Sequence, residues 1–438
     1  MRRDPIGLFM QARRDHGPLV RLNLGPMKVY VVGHPDYARH ILVERAANYG
    51  YNPLFIRAAR PALGAGLLTT EGDAWLRQRR ILQPLFHRHL LVAMAKTMAR
   101  VTAEFLAGWS DRARRVEVVD VHKEMLELTL RIVGWTLFSA DLGGATDELS
   151  PSVALANRHT YHRMTSLLPI PSFVPTPQNL RFARALRRVD AYLQRVIEEH
   201  RRSERDDLLT MLLLARGEDG AAIEGTQLRD EVMTFFVAGH ETSAAALTWI
   251  LYLLAKHPDA ARRARQEVHD LVAAGPPVIE RLGELRFTTR LIQEAMRLYP
   301  PVWIIGRVAR SEDELGGFAI ERGANLFASP YLLHRAPECW SEPEDFDPER
   351  FLPERIEARP KHAYLPFGAG QRMCIGNHFA MLEMQIVVSQ ILKDYDLSRE
   401  TDGEVIPEAH VTLRPAHGFR LRLARAAPQV RADERPPL

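Results

Sequence analysis

A mainly α fold with minor β, built as one large domain, is what this chain of 438 residues predicts. Three observations carry the prediction. Apolar residues recur at helical spacing over long stretches, at 89–108, 119–138, 178–200, 226–256, 258–273 and 288–299. The alternating stretches between them are short. No Pro/Gly/Ser-rich linker or shift in composition divides the chain before its end, so residues 1–425 read as a single domain and the proline- and charge-rich 426–438 as a disordered tail.

In chain order, Leu19 to Val32 alternate around Gly25-Pro26 and predict a β-hairpin. Gly72 to Arg80 predict a helix with Trp75 and Arg79 one turn apart on one face. Between Arg163 and Pro177 lies an apolar run with too many prolines for a helix, a rigid connecting loop. Val232 to Ala255 are nearly all apolar, long enough to resemble a membrane span, with His240, Glu241 and Thr242 in the middle. Polar Gln227–Glu231 precedes it and no second span exists, so this helix is expected to cross the protein core. Small sheets are expected near 303–309, 318–328 and 408–422, and the apolar run from His378 through Leu392 predicts another helix.

Composition narrows the class. Apolar residues make up 46% and charged residues 26%, ordinary for a globular protein with a sizeable core. The net charge is only +4 and no Lys/Arg block interleaves with aromatics, which argues against a nucleic-acid partner. Only six of the 58 basic residues are lysine, a skew expected of a GC-rich bacterial genome. Two cysteines, Cys339 and Cys374, are too few for a disulfide framework and fit a reducing compartment. The first residues, Met1-Arg2-Arg3-Asp4-Pro5, lack the apolar core of a signal peptide or membrane anchor, so a cytoplasmic location is expected.

The chemistry concentrates in Phe367-Gly368-Ala369-Gly370-Gln371-Arg372-Met373-Cys374-Ile375-Gly376. Glycines at 368, 370 and 376 let the backbone turn sharply and approach a flat ligand. Cys374 precedes a helix, where free N–H groups and the dipole favour an anion, so a stable thiolate is expected. Arg372 offers a charged fork suited to a carboxylate. A lone cysteine is more often a small buried hydrophobe; the surrounding loop outweighs that reading.

The pattern Phe-x-x-Gly-x-Arg-x-Cys-x-Gly resembles the haem-binding loop of the cytochromes P-450, and every specified position matches. The resemblance spans about residues 5 to 422, with four motifs in the family's order. It implies the fold of that family, with haem b (iron protoporphyrin IX) between the long central helix and the cysteine loop, and Cys374 as axial ligand of the iron. Phe367, Gly368, Gly376 and Ala238 would then lie against the ring, and Arg372, Trp75, Arg79 and Arg307 at its propionates. Ala238-Gly239-His240-Glu241-Thr242 resembles the family's oxygen-activating segment, with Thr242 and Glu241 as its alcohol and acid. Glu294 and Arg297, three apart on a helix, together with Arg350 resemble its Glu-Arg-Arg network.

The implied activity is that of a monooxygenase inserting one atom of dioxygen into an apolar small molecule, by hydroxylation or epoxidation, with secondary metabolism as its setting. Pocket walls are expected from Leu67, Leu68, Phe236, Val237, Trp303, Ile304, Ile305 and Val411, fitting a terpenoid, fatty-acyl or polyketide-like substrate. No reductase domain follows Leu438, so electrons would come from a ferredoxin or flavodoxin with its reductase, docking on a basic face that includes Arg80, His87 and Arg88. A peroxide-using peroxygenase and a haem-based sensor or electron carrier are the rivals. The intact Glu241–Thr242 pair disfavours the first; the long apolar groove and the proline-rich loop 163–177, which by the resemblance covers the substrate entrance, disfavour the second. The proline-rich lead usual before the first helix is absent, as in a shortened N-terminus.

Overall fold

In the computed structural model the chain is described over residues 4–24, 27–140, 146–166, 170–203, 205, 207–217, 220, 222–275 and 279–426. The Gly25-Pro26 turn and all but the first residue of the expected tail lie outside the described residues. Long helices dominate: Arg88–Arg114, Val121–Phe138, Thr146–Thr165, Pro177–Arg202, Gly225–Lys256, Pro258–Ala273, Arg286–Leu298 and Asn377–Asp394. Local chemistry sets several of their ends. Thr176 accepts the Asn179 N–H and Pro177 follows at the first helical position, where its missing N–H costs nothing.

The helix Gly225–Lys256 is the axis of the molecule. It is buried on nearly every side from Val232 to Phe236 and from Ser243 to Leu254, and packs against Val121–Phe138, Arg286–Leu298 and Asn377–Asp394. That burial explains why it is apolar all round rather than amphipathic. No described helix is long and apolar enough to cross a membrane.

The β structure stands to one side. Leu19–Leu24, Met27–Val32, Asn325–Ala328, Ile305–Ala309 and Tyr49–Gly50 form a five-stranded sheet in that order. Met27–Val32 and Asn325–Ala328 run parallel, Val29 opposite Asn325 and Val32 opposite Ala328. A second sheet joins Val118–Asp120, Arg420–Arg425 and Tyr395–Arg399, and Pro407–Ala409 pairs with Leu413–Pro415 as a hairpin.

A buried ionic network fastens the segment leading to the cysteine loop. Arg297 donates to both carboxylate oxygens of Glu294 at 2.6 and 2.8 Å and to the carbonyls of His334, Pro343 and Asp345. The Asp347 N–H also donates to Glu294, and Arg350 Nε lies 3.3 Å from the same carboxylate without a well-aligned hydrogen bond. Burial pushes the Glu294 carboxyl up, with Arg297 the largest opposing influence.

Candidate functional site

Two chain segments face each other across the middle of the fold. On the central helix, Ala238 is exposed and Val237, Gly239 and Thr242 are half-exposed, although the helix is otherwise buried on both sides of them. On the loop before Asn377–Asp394, Cys374 is also exposed by area, yet burial dominates its electrostatics. Both properties hold for a side chain deep in the fold that lines an internal slot.

The cysteine loop is a tight turn. The Cys374 N–H donates to the Phe367 carbonyl at 3.0 Å and the Met373 N–H to Gly370 at 3.1 Å. Gly368 and Gly370 have φ of +74° and +68°, where side chains are strained. A Cβ on Gly370 would sit 2.1 Å from the Leu42 carbonyl oxygen, so close approach to a neighbouring segment, not to a ligand, makes that glycine necessary. Gly376 departs from expectation: its φ of −92° is ordinary, and its Cβ would meet Phe86 at an ordinary 3.8 Å. The helix begins only at Asn377, and burial pushes the Cys374 thiol up against the opposing pull of the Gly376 N–H and the Arg79 guanidinium. Burial thus opposes the thiolate, and the charge of a bound iron would favour it.

Three guanidiniums gather beside this loop around a residue the sequence reading missed. Arg307 and Arg372 each lie 4.8 Å from the centre of the Tyr51 ring, and Arg372 stacks on Trp75 at 3.9 Å. Arg79 interacts electrostatically with both Tyr51 and Cys374, so Trp75, Arg79, Arg307 and Arg372 do converge. Tyr51 follows a two-residue strand and carries no motif that would have marked it. Arg372 also donates to the Thr70 and Leu67 carbonyls, while the Leu67 N–H donates to Glu231 on the central helix. The segment 67–70 thus ties the cysteine loop to that helix.

The acid and alcohol are differently engaged. Thr242 Oγ1 donates to the Ala238 carbonyl one turn back, the bond any helical threonine can make. Glu241 is buried and accepts from the Asn157 amide and, at 2.9 Å, from Thr412 Oγ1. Its carboxyl borders a cavity of about 50 Å³ shared with His122, His240, His410 and Arg414. Burial pushes it up; Thr412, Arg414 and Asn157 pull the other way.

Two expected pocket walls are corrected. Phe236 is fully buried and packs against Phe138 and His240, on the side of the central helix turned toward Val121–Phe138. Trp303 is buried in the cluster of Phe9, Tyr331 and Leu413, its indole donating to the His410 carbonyl, while Val302 beside it is exposed. Leu67 joins the main core, and Ile304 packs against the Trp303 cluster. Leu68, Val237, Ile305 and Val411 retain accessible surface, and Ile305 Cδ1 lies 3.7 Å from where a Gly368 Cβ would be.

The residues present suit a haem. A cysteine in an internal slot, a small-residue gap in the facing helix, and three guanidiniums with a tyrosine and an indole at one edge match a flat, dianionic, iron-bearing ring. By contrast, the open cleft of about 590 Å³ between Pro258–Ala273 and Arg286–Leu298 contains none of the expected site residues.

Comparisons with known proteins agree. The Cytochrome P450 family model matches residues 2–423. The chain is 35% identical over 434 residues to pentalenene oxygenase of Streptomyces avermitilis, covering 98% of this chain and 94% of that protein. It is 34% identical to cyclooctatin synthase of Streptomyces melanosporofaciens, with 94% and 90% covered. To the chloroplastic cytochrome P450 97B2 of Glycine max it is 31% identical, with 93% and 81% covered.

Proposed function

The chain belongs to the cytochrome P450 family, and from that premise we propose that its substrate is a cyclic terpenoid of low polarity. It is a haem-thiolate monooxygenase that inserts one atom of dioxygen into an apolar small molecule. The observation that supports the substrate reading is that the expected walls Leu68, Val237, Ile305 and Val411 are apolar side chains that retain accessible surface. Relatives whose names specify pentalenene and cyclooctat-9-en-7-ol as substrates point the same way.

Cys374 would hold the iron, Ala238 would lie against the ring, and Arg79, Arg307, Arg372, Trp75 and Tyr51 would hold its carboxylates. The bound haem supplies the redox chemistry. The chain's own contribution is binding, dryness and proton handling. Ala238, exposed on the central helix, leaves room beside it, while Gly239 admits the close approach of Val133. Thr242 Oγ1, when it leaves the Ala238 carbonyl, can donate its proton into that gap. The carboxyl of Glu241, pushed up by burial and bordering its cavity, would be the proton source that resupplies the hydroxyl. Electrons would come from a ferredoxin or flavodoxin with its reductase.

Optical titration of the haem protein with cyclic terpenes, fatty acids and macrolides tests the reading. A saturable low-spin to high-spin shift with cyclic terpenes is expected; a shift confined to fatty acids or macrolides would overturn the terpenoid assignment.

A further inference from the structure

Glu231, on the central helix ahead of Ala238, is fully buried and has no part in the chemistry above. Its Oε2 accepts the Leu67 N–H at 2.9 Å, and its Oε1 has no hydrogen-bond partner among the described residues. Burial pushes the carboxyl up to about 7; the Leu67 N–H opposes that, and neighbouring Asp230 adds to it. A buried carboxyl left half-satisfied costs stability that an apolar side chain would not. What it contributes is the placement of one backbone amide.

That amide belongs to a segment laid closely on the helix. The Ala65 N–H donates to Asp230 at 2.7 Å, and Arg229 donates to the Ala62 carbonyl at 3.2 Å while pairing with Asp230 and Asp190. Gly64 has φ of +60°, and a Cβ there would collide with the Asp230 carboxylate; a Cβ on Gly66 would collide with Thr234 Oγ1. Glycines and carboxylates together hold residues 64–67 against the central helix.

The far side of the same segment sets the Arg372 fork. Arg372 Nη2 donates to the Thr70 carbonyl at 2.7 Å and Nη1 to the Leu67 carbonyl at 3.4 Å. Leu67 is therefore engaged at both its polar backbone groups, the N–H by Glu231 and the carbonyl by Arg372. A guanidinium is planar and rigid, so fixing two of its nitrogens fixes the direction of the third. Stacking on Trp75 at 3.9 Å holds its plane.

We propose that Glu231 is a positioning residue for the haem carboxylates: by holding the Leu67 amide it places the carbonyls of Leu67 and Thr70, and through them it aims the Arg372 guanidinium. The proposal rests on the reading of Arg372 as a carboxylate-binding residue at the haem.

Amide hydrogen exchange and the rate of haem transfer to apomyoglobin, both measured on the full-length haem protein, test it. Glu231→Ala should lower protection of the Leu67 amide about tenfold. It should speed haem transfer roughly fivefold, the equivalent of one hydrogen bond. Glu231→Gln keeps an acceptor and should hold both close to wild type. In an Arg372→Gln background, where haem transfer is already fast, Glu231→Ala should add less than about twofold. A general loss of stability would not produce that non-additivity. Glu231→Asp keeps the charge and shortens the reach, so it carries the same expectations and replaces the alanine variant if that one does not fold. Additive effects of the two sites, haem transfer unchanged while the Leu67 amide loses protection, or Glu231→Gln as impaired as Glu231→Ala would each overturn the proposal. Haem transfer unchanged in Arg372→Gln alone would overturn the reading of Arg372 on which the proposal rests, and the proposal with it.

Discussion

Ser243, the residue after Thr242 on the central helix, donates its hydroxyl to Glu383 on the helix that follows Cys374. The bond ties together the two elements that flank the site, and it places a carboxyl where no water reaches. Glu383 is fully buried, its Oε1 has no hydrogen-bond partner, and burial pushes its pKa up to about 8, opposed only by Ser243.

That shift has a definite sign. In the unfolded chain a glutamate titrates near its ordinary value of about 4.3. Between there and about 8 the folded protein holds a proton that the unfolded chain releases, so the contribution of Glu383 to stability falls as pH rises. Glu383→Gln keeps an acceptor for Ser243 and removes the titration. Its melting temperature should therefore gain on the wild type between pH 5 and 8; a constant difference across that range would show that Glu383 does not titrate there.

Glycine is expected to matter unequally along the cysteine loop. Gly370→Ala meets both a positive φ and a backbone carbonyl, and should cost several kcal/mol and empty the protein of haem. Gly376→Ala has neither obstacle and should change stability by under about 1 kcal/mol. Melting curves and haem content of the two variants decide between them, and equal loss in both would refute the distinction.

Arg297→Lys should be among the most damaging single changes outside the slot. Lysine cannot reproduce the bidentate bond to Glu294 together with bonds to three carbonyls. Breaking a buried pair costs roughly 3–5 kcal/mol. Chemical denaturation should show that loss, and a decrease below about 1 kcal/mol would mean the network is not holding the segment.

Thr242→Ala removes a hydroxyl whose present bond is only to its own helix. Haem content and substrate affinity should hold while product formed per reductant consumed falls several-fold, with Thr242→Ser restoring most of the coupling. Full coupling in the alanine variant would assign the hydroxyl a helix-bending role alone.

Much of the architecture could be read from the chain because period and punctuation agree. The 226–256 stretch appears as Gly225–Lys256, and the 19–32 alternation as paired strands in register Leu19 with Val32. The cluster around Tyr51 was legible where the resemblance marked it, at Trp75, Arg79, Arg307 and Arg372. Tyr51 was not, because its importance arises only when Tyr49–Gly50 joins the sheet edge beside Ile305–Ala309. Phe236 and Trp303 misled for the opposite reason: both sit next to site residues in sequence, but helical rotation and chain reversal turn them into separate apolar clusters. The burial of Cys374 was not legible: it opposes a thiolate, so the ligand role rests on the bound iron rather than on helix proximity.

The central claim is that Cys374 is the iron's thiolate ligand, and the carbon monoxide difference spectrum of the reduced haem protein tests it most directly. Cys339, half-buried against the cluster of Ala336, Trp340, Phe351 and Ala363, its thiol pushed up to about 11 by burial, is the internal control. Wild type and Cys339→Ser should both show the band of a thiolate-ligated ferrous haem, and Cys374→Ser should lose it. Retention of that band in Cys374→Ser would contradict the assignment.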